Sequence, residues 1–159
     1  IVIFNFQKNM FNNKNILVTG GTGSFGYQFV ETIVKNFKPN KLIIFSRDEF
    51  KQHEMQTVFS LQKYKFLRYF IGDVRDKERL YSAFKDVDFV VHAAALKQVD
   101  VAEYNPTEVI KTNIIGTQNV VDACLYNNVK KVIGLSTDKA ANPISLYGAT
   151  KLCSDKIII

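Results

Sequence analysis

With 159 residues, 47% of them hydrophobic, the chain is long enough for one domain with a sizeable core. No apolar run approaches the ~20 residues of a membrane span, and the opening IVIFNFQKNMFNNKN lacks the basic region and small-residue cleavage site of a secretory signal. The net charge of +6 comes from scattered Lys and Arg without a basic run, so neither a nucleic-acid partner nor a membrane is expected.

In chain order, residues 1–14 are expected to be a disordered N-terminal extension, with Met10 a natural start. Residues 15–159 read as one nucleotide-binding domain. NILVTG (15–20) is an apolar strand running into glycines, and YQFVETIVKNF (27–37) follows with helical spacing. KLIIFS (41–46) is a second strand and EFKQHEMQTVFSLQ (49–62) a helix. KFLRYFIGDV (65–74) is a third strand, KERLYSAFK (77–85) a short helix, and DFVVHAAA (88–95) a fourth strand. One long helix is expected over 105–128, with Pro106 in its first turn, then a fifth strand over 130–137. A last helix starts near Ser145, and the chain stops inside it, which reads as the first part of a longer protein. Strands that are apolar on both faces and alternate with helices predict an α/β fold: a Rossmann-like doubly wound parallel sheet with helices on both faces. Cys124 and Cys153 have no metal-ligand spacing, and His53 and His92 are far apart. No metal site is therefore expected, and a reduced, cytoplasmic protein is.

TGGTGSFG (19–26) lies between the first strand and first helix. Gly20 permits a tight turn, Gly23 lets backbone N–H groups approach a pyrophosphate, and Gly26 lets helix and strand pack closely. Thr22, Ser24 and Phe25 complete the expected dinucleotide loop. A site for NAD usually ends its second strand with an acid that binds the ribose 2′-hydroxyl. Here FSRDEFKQ (45–52) puts Ser46 and Arg47 in that place with Lys51 close by. Arginine offers a fork suited to a 2′-phosphate, so NADP is the expected cofactor. Asp48, Glu49 and Phe50 belong to the same stretch, and ribose binding by Asp48 or Glu49 is the competing reading. In GDVRD (72–76), Asp73 and Val74 would face the adenine, unless Asp73 instead caps the next helix. The small residues from Ala93 to Ala95 would let the nicotinamide half lie close to the chain, with Lys97 just beyond.

Tyr147 and Lys151 stand one helical turn apart, on one face. An unperturbed tyrosine is a poor base, and a neighbouring ammonium favours its phenolate. Asp138 and Lys139 precede them as an adjacent acid and base that simple alcohol oxidation does not need.

TGGTGSFG, FSRDEFKQ, GDVRD, HAAALKQVDVAEYNP, IKTNIIGTQNV and STDKAANPISLYGATKLCSDK together resemble the extended short-chain dehydrogenase/reductase family. More narrowly they resemble the inverting UDP-N-acetylglucosamine 4,6-dehydratases of pseudaminic acid biosynthesis, which supply flagellin glycosylation. The resemblance runs from about residue 15 to the end. It implies UDP-N-acetylglucosamine as substrate and a homo-oligomer when full length. Tyr147 would deprotonate the C4 hydroxyl and Thr137 would hydrogen-bond the C4 oxygen. Lys151 would lower the tyrosine pKa and hold the nicotinamide ribose. Lys139 would remove the C5 proton if its own pKa is depressed. Asp138 would protonate the departing C6 hydroxyl, which needs a raised pKa. Lys97 would reach a cofactor or substrate phosphate, and Lys97 and Lys139 are the expected substrate contacts. Family chains are about twice as long, so this stretch alone is expected to be inactive. A UDP-hexose 4-epimerase would share the fold and the Tyr–Lys pair without needing a C5 base. A non-catalytic NADP-binding protein would need no phenolate.

Overall fold

The computed structural model describes residues 9–159. Its five parallel strands are β1 (Asn15–Thr19), β2 (Lys41–Ser46), β3 (Leu67–Ile71), β4 (Phe89–His92) and β5 (Lys131–Gly134), ordered β3-β2-β1-β4-β5. The helices are α1 (Ser24–Asn36), α2 (Glu49–Val58), α3 (Lys77–Ala83), α4 (Val99–Tyr104), α5 (Pro106–Ile110), α6 (Gly116–Tyr126) and α7 (Leu146–Ile158). Alternate side chains of each strand point to opposite faces and feed two cores. Leu17, Ile43, Phe45 and Val90 meet Leu80 and Phe84 of the α3 region and Val120 and Ala123 of α6. Ile16, Val18, Leu42, Ile44 and Val91 meet Val30 and Ile33 of α1 and Met55 of α2. This is the Rossmann-like doubly wound arrangement expected from strands apolar on both faces.

The strand order reverses between β1 and β4, which are paired in register from Ile16–Phe89 to Thr19–His92. Connections leave in opposite directions there, and a crevice opens at the carboxyl ends of the strands. Among the described residues no helix is long and apolar enough to cross a membrane.

Four expectations are corrected. Residues 9–14 are not disordered: Phe11 is buried, with ring centroids 6.1 Å from Phe29, 5.1 Å from Phe37 and 6.1 Å from Phe89. Asn13 adopts φ 56°, its N–H donates to the Lys38 carbonyl, and Asn12 Oδ1 accepts from the Lys38 N–H at 2.8 Å. The remainder of the expected extension, residues 1–8, lies outside the described residues. The helix expected over 105–128 is three segments, since a π-helical turn at Lys111–Ile115 separates α5 from α6. Finally, α4 forms where a connection was expected; it ends at Asn105, before Pro106. The third, fourth and fifth strands are also shorter than expected, because Gly72–Val74, Ala93–Ala95, and Leu135 with Ser136 leave the sheet to build the crevice.

Candidate active site

The crevice floor begins at β1. Gly20 follows the strand with φ +64°, and a Cβ there would lie 2.8 Å from the Ala94 nitrogen. Only glycine allows the loop to run this close to the 93–95 backbone. A Cβ at Gly26 would meet the Gly21 carbonyl oxygen at 2.4 Å, so helix and loop touch backbone to backbone. Gly23 differs, because a Cβ there would meet only the Gly20 oxygen, at 3.2 Å, and its remaining side is open. Gly23 is also the N-cap of the 13-residue α1, which has no side-chain cap and no acid in its first turn. By contrast Asp48, Asp76 and Ser145 cap α2, α3 and α7 through their side chains. Open amide donors, a positive helix end and a cradle that side chains would fill are a fit for a pyrophosphate.

Two connected compartments share Gly20, Gly23, Ala93, Ala95 and Lys97. The first also takes Thr22, Ser46, Arg47, Asp48, Lys51, Asp73 and Val74 into its walls, and the second Ser24, Phe25, Gly26, Tyr147 and Lys151. The expected Glu49, Phe50, Thr137, Asp138 and Lys139 line neither compartment, and Phe50 is exposed.

In the first compartment two cations are loosely held. Arg47 Nη1 stands 3.7 Å from Asp73 Oδ2, and Lys51 Nζ 3.7 Å from Asp48 Oδ2. Asp48 Oδ1 accepts the Lys51 N–H at 2.9 Å, which spends this carboxylate on capping α2. Asp73 is not a cap, since α3 is capped by Asp76. Burial acts to raise the Asp73 carboxyl, but hydrogen bonds and charge from Arg75, with Arg47 beyond, outweigh it and leave it lowered. Ser46, rather than an acid, ends β2, and Arg47 and Lys51 stand beside it in this wall.

In the second compartment α7 carries Tyr147, half-buried, and Lys151, buried. Lys151 Nζ donates to the Leu135 carbonyl at 2.5 Å. Burial lowers the Lys151 pKa, opposed by the charge of Asp155. The start of α7 is anchored by Ser145, which accepts from the Gly148 N–H, and by Glu103 of α4, which accepts from the Leu146 N–H at 2.9 Å. A Cβ at Gly148 would meet the Lys139 carbonyl oxygen at 2.4 Å, so the short 3₁₀ turn Asp138–Ala140 lies directly against the helix that carries Tyr147.

That turn is open to solvent. Asp138 and Lys139 have side-chain exposures of 88% and 52% and stand 3.7 Å apart. The Thr137 hydroxyl donates to Asp138 Oδ1 at 3.0 Å, and this bond, with the Lys139 charge, lowers the Asp138 pKa. This is opposite to the raised value expected for a general acid. An exposed carboxylate that accepts a hydrogen bond stays ionised.

A buried polar network, which the motifs did not reveal, supports the crevice. Thr19 Oγ1 accepts from the Ala93 and Ala94 N–H groups at 3.2 and 3.3 Å, so its own proton points to His92 Nδ1, 2.7 Å away. His92 therefore carries its hydrogen on Nε2 and donates it to Thr117 Oγ1 at 3.1 Å, and Thr117 donates onward to the Asn113 carbonyl at 2.6 Å. Burial, then the Lys151 charge, pushes the His92 pKa down to about 3. Asn113 sits in the π-helical turn. Its Oδ1 accepts from the Leu96 N–H at 2.8 Å, and its Nδ2 donates to the Leu96 carbonyl at 2.9 Å and to Thr150 at 3.1 Å. Residues 19, 92, 113, 117 and 150 thus bolt the 93–96 turn to the sheet, to α6 and to the Tyr147 helix.

Comparison with known proteins places this arrangement. An inverting UDP-N-acetylglucosamine 4,6-dehydratase of Campylobacter jejuni is 65% identical over 150 residues, covering 94% of this chain and 44% of that protein. A UDP-glucose 4-epimerase of Rickettsia bellii is 50% identical over 153 residues, again 94% of this chain and 44% of that protein. The structure of a dTDP-glucose 4,6-dehydratase from Streptomyces venezuelae, with NAD bound, superposes with TM-score 0.82 at 26% identity, covering 90% of this chain and 50% of that one. The chain spans less than half the length of the curated relatives it matches. Residues 16–159 match the model of the polysaccharide biosynthesis protein family, and with the glycine cradle, the Tyr147–Lys151 wall and this degree of identity, the chain belongs to that family.

Proposed function

We propose that the protein containing this chain is an NADP-dependent lyase that dehydrates UDP-N-acetylglucosamine to the UDP-4-keto-6-deoxy sugar with inversion at C5. The observation that carries this reading is one juxtaposition. Tyr147 and Lys151 line a crevice continuous with the phosphate loop, and the Asp138–Lys139 turn is packed against the same helix at Gly148. Bound NADP+ would supply the hydride chemistry of the reaction, storing the hydride between its removal from C4 of the sugar and its delivery to C6. Gly23 and the α1 N-terminus would hold the pyrophosphate. Ser46, Arg47 and Lys51 would hold the 2′-phosphate, with Asp73 and Val74 at the adenine. Tyr147 takes the C4 hydroxyl proton, helped by the positive charge of Lys151. Thr137, released from Asp138, donates to the C4 oxygen. The 4-ketone acidifies the C5 proton, Lys139 removes it, and the C6 hydroxyl leaves as water with a proton from Asp138; as the hydride returns to C6 of the resulting 5,6-alkene, C5 takes a proton on the opposite face, which inverts it. Asp138 is ionised and solvated as the chain stands, so its acid role requires the bound sugar nucleotide to displace water and raise its pKa. Lys97, shared by both compartments, would serve the phosphates. We extend the reading, from the resemblance alone, to a homo-oligomeric cytoplasmic enzyme at the first step of pseudaminic acid synthesis for flagellin or surface glycans.

The second reading is a 4-epimerase, supported by the Rickettsia relative. Proton NMR of the full-length protein with UDP-N-acetylglucosamine separates the two. A new C6 methyl signal with a 4-keto product is expected, and the C4 epimer without a methyl signal would overturn dehydration. In the same assay Lys139→Ala should lower turnover by about 10²–10⁴-fold, the usual worth of a positioned acid or base, while NADP binding persists.

A further inference from the structure

Helix α2 turns Gln52, Met55 and the following Phe59 into the apolar core, and Gln52 is as buried as its neighbours, at 3% exposure. A glutamine in that place is unusual and needs partners. It has three, all on the cofactor side of the sheet. Nε2 lies 3.1 Å from the Ser46 carbonyl, 3.1 Å from Ser46 Oγ and 2.9 Å from the Phe70 carbonyl. Two carbonyl oxygens at these distances fix the orientation of the amide, because its oxygen turned the same way would face two acceptors. Nε2 has two hydrogens for three acceptors, so the two Ser46 oxygens share one of them. The Ser46 carbonyl accepts a second bond from the Gly72 N–H at 3.0 Å.

One buried amide therefore joins the last residue of β2 to the end of β3. The residues just beyond these ends, Arg47 on one side and Gly72 and Asp73 on the other, form the walls of the first compartment. Because Ser46 Oγ accepts from Gln52, its own O–H is left as a donor. A phosphate oxygen can only accept. Arg47 and Lys51 bring charge on long, exposed stems, with side-chain exposures of 55% and 60%, so they do not locate a phosphate by themselves. The rigid reference point at this wall is Ser46, and Ser46 is held by Gln52.

We propose that Gln52 is a positioning residue for cofactor selection: it holds Ser46 and the β2–β3 ends so that the wall recognises an adenosine 2′-phosphate, without touching the nucleotide itself. The inference rests on the NADP reading given above.

The test is calorimetric titration of the full-length protein with adenosine 2′,5′-bisphosphate and adenosine 5′-monophosphate, which differ only in the 2′-phosphate. Wild type should prefer the bisphosphate. Gln52→Met keeps the length and the apolar packing but loses every donor. It should weaken the bisphosphate about tenfold, the size of one hydrogen bond to a charged group, and leave the monophosphate within about twofold. Equal weakening of both ligands would mean that Gln52 only supports the fold, and unchanged affinity for both would mean that it supports nothing at this wall. Either result overturns the inference while leaving NADP selection intact. A wild type without preference overturns the NADP reading and this inference together. Should Gln52→Met not fold, Ser46→Ala keeps the buried amide and its two carbonyl bonds. Its preference should fall several-fold, and full retention would sink the inference.

Discussion

His92 is neutral because it has no room to be otherwise. Nδ1 accepts from Thr19, Nε2–H donates to Thr117, and Lys151 lies near enough to disfavour a second positive charge. Its pKa falls from 6.5 to about 3 on folding, so below pH 6.5 the unfolded chain takes up a proton that the folded chain refuses. Stability is then lost as pH falls, by at most about 1.4 kcal/mol per pH unit. Between about pH 6.5 and 5 this slope is separable from the carboxylates, which titrate lower. Chemical denaturation of the full-length protein across that window should show the slope in wild type and not in His92→Asn. Asparagine can also keep the Thr19 bond, whereas Gln at 92 reaches only toward Thr117. If the Thr19 bond aligns the Ala93–Ala95 turn, His92→Asn retains NADP affinity better than His92→Gln. Equal affinities would show that the turn does not depend on Thr19.

At the level of elements, the π-helical turn is the piece that joins the crevice wall to the Tyr147 helix. Its Asn113 makes both backbone bonds of Leu96 and reaches Thr150 on α7, while its carbonyl accepts from Thr117 and from Ser154 Oγ. Removing the side chain orphans part-buried groups on two elements. Asn113→Ala should therefore cost about 2–3 kcal/mol in urea denaturation and weaken NADP binding as well, since Ala95 and Lys97 flank Leu96 in the walls. A loss below about 0.5 kcal/mol would show that the turn holds itself. This element also marks where the sequence stops being readable. The five strands were legible as apolar runs, the phosphate loop as glycines at local spacing, and Tyr147–Lys151 as one helical turn, because each of these signals lies within a few residues. Asn113, His92 and Gln52 act through partners 17, 73 and 18 residues away, and no local pattern announces such pairs. The same reason hid the breaks in the helix expected over 105–128. Its helical spacing continues through the π turn, and only its bonds to Leu96 and to α7 give the irregularity a purpose.

For the whole molecule, the question is what closes the second core at its open end. The β1, β2 and β4 residues on that face are covered by α1 and α2, and Phe11 joins the same core beside Phe89 at the start of β4. Its ring meets Phe29 and Phe37, from α1 and its cap, edge-on, and also Phe89 at the start of β4, so one residue before the first strand contacts three elements. In sequence Phe11 stands among Asn and Lys and looks dispensable, which is why the segment reads as a tail. Edge-to-face aromatic pairs add to the burial of a large apolar side chain, and truncating such a residue typically costs about 3–5 kcal/mol. Phe11→Ala should lower the unfolding free energy of the full-length protein by that amount, whereas Asn9→Ala, on the exposed side of the same turn, should be nearly silent. If both substitutions prove silent, residues 9–14 rest on the sheet without supporting it, and the domain begins at β1 after all. If only Phe11→Ala destabilises, the folding unit extends upstream of the first strand, and any version of this domain cut at residue 15 opens the core at the amino end of β4.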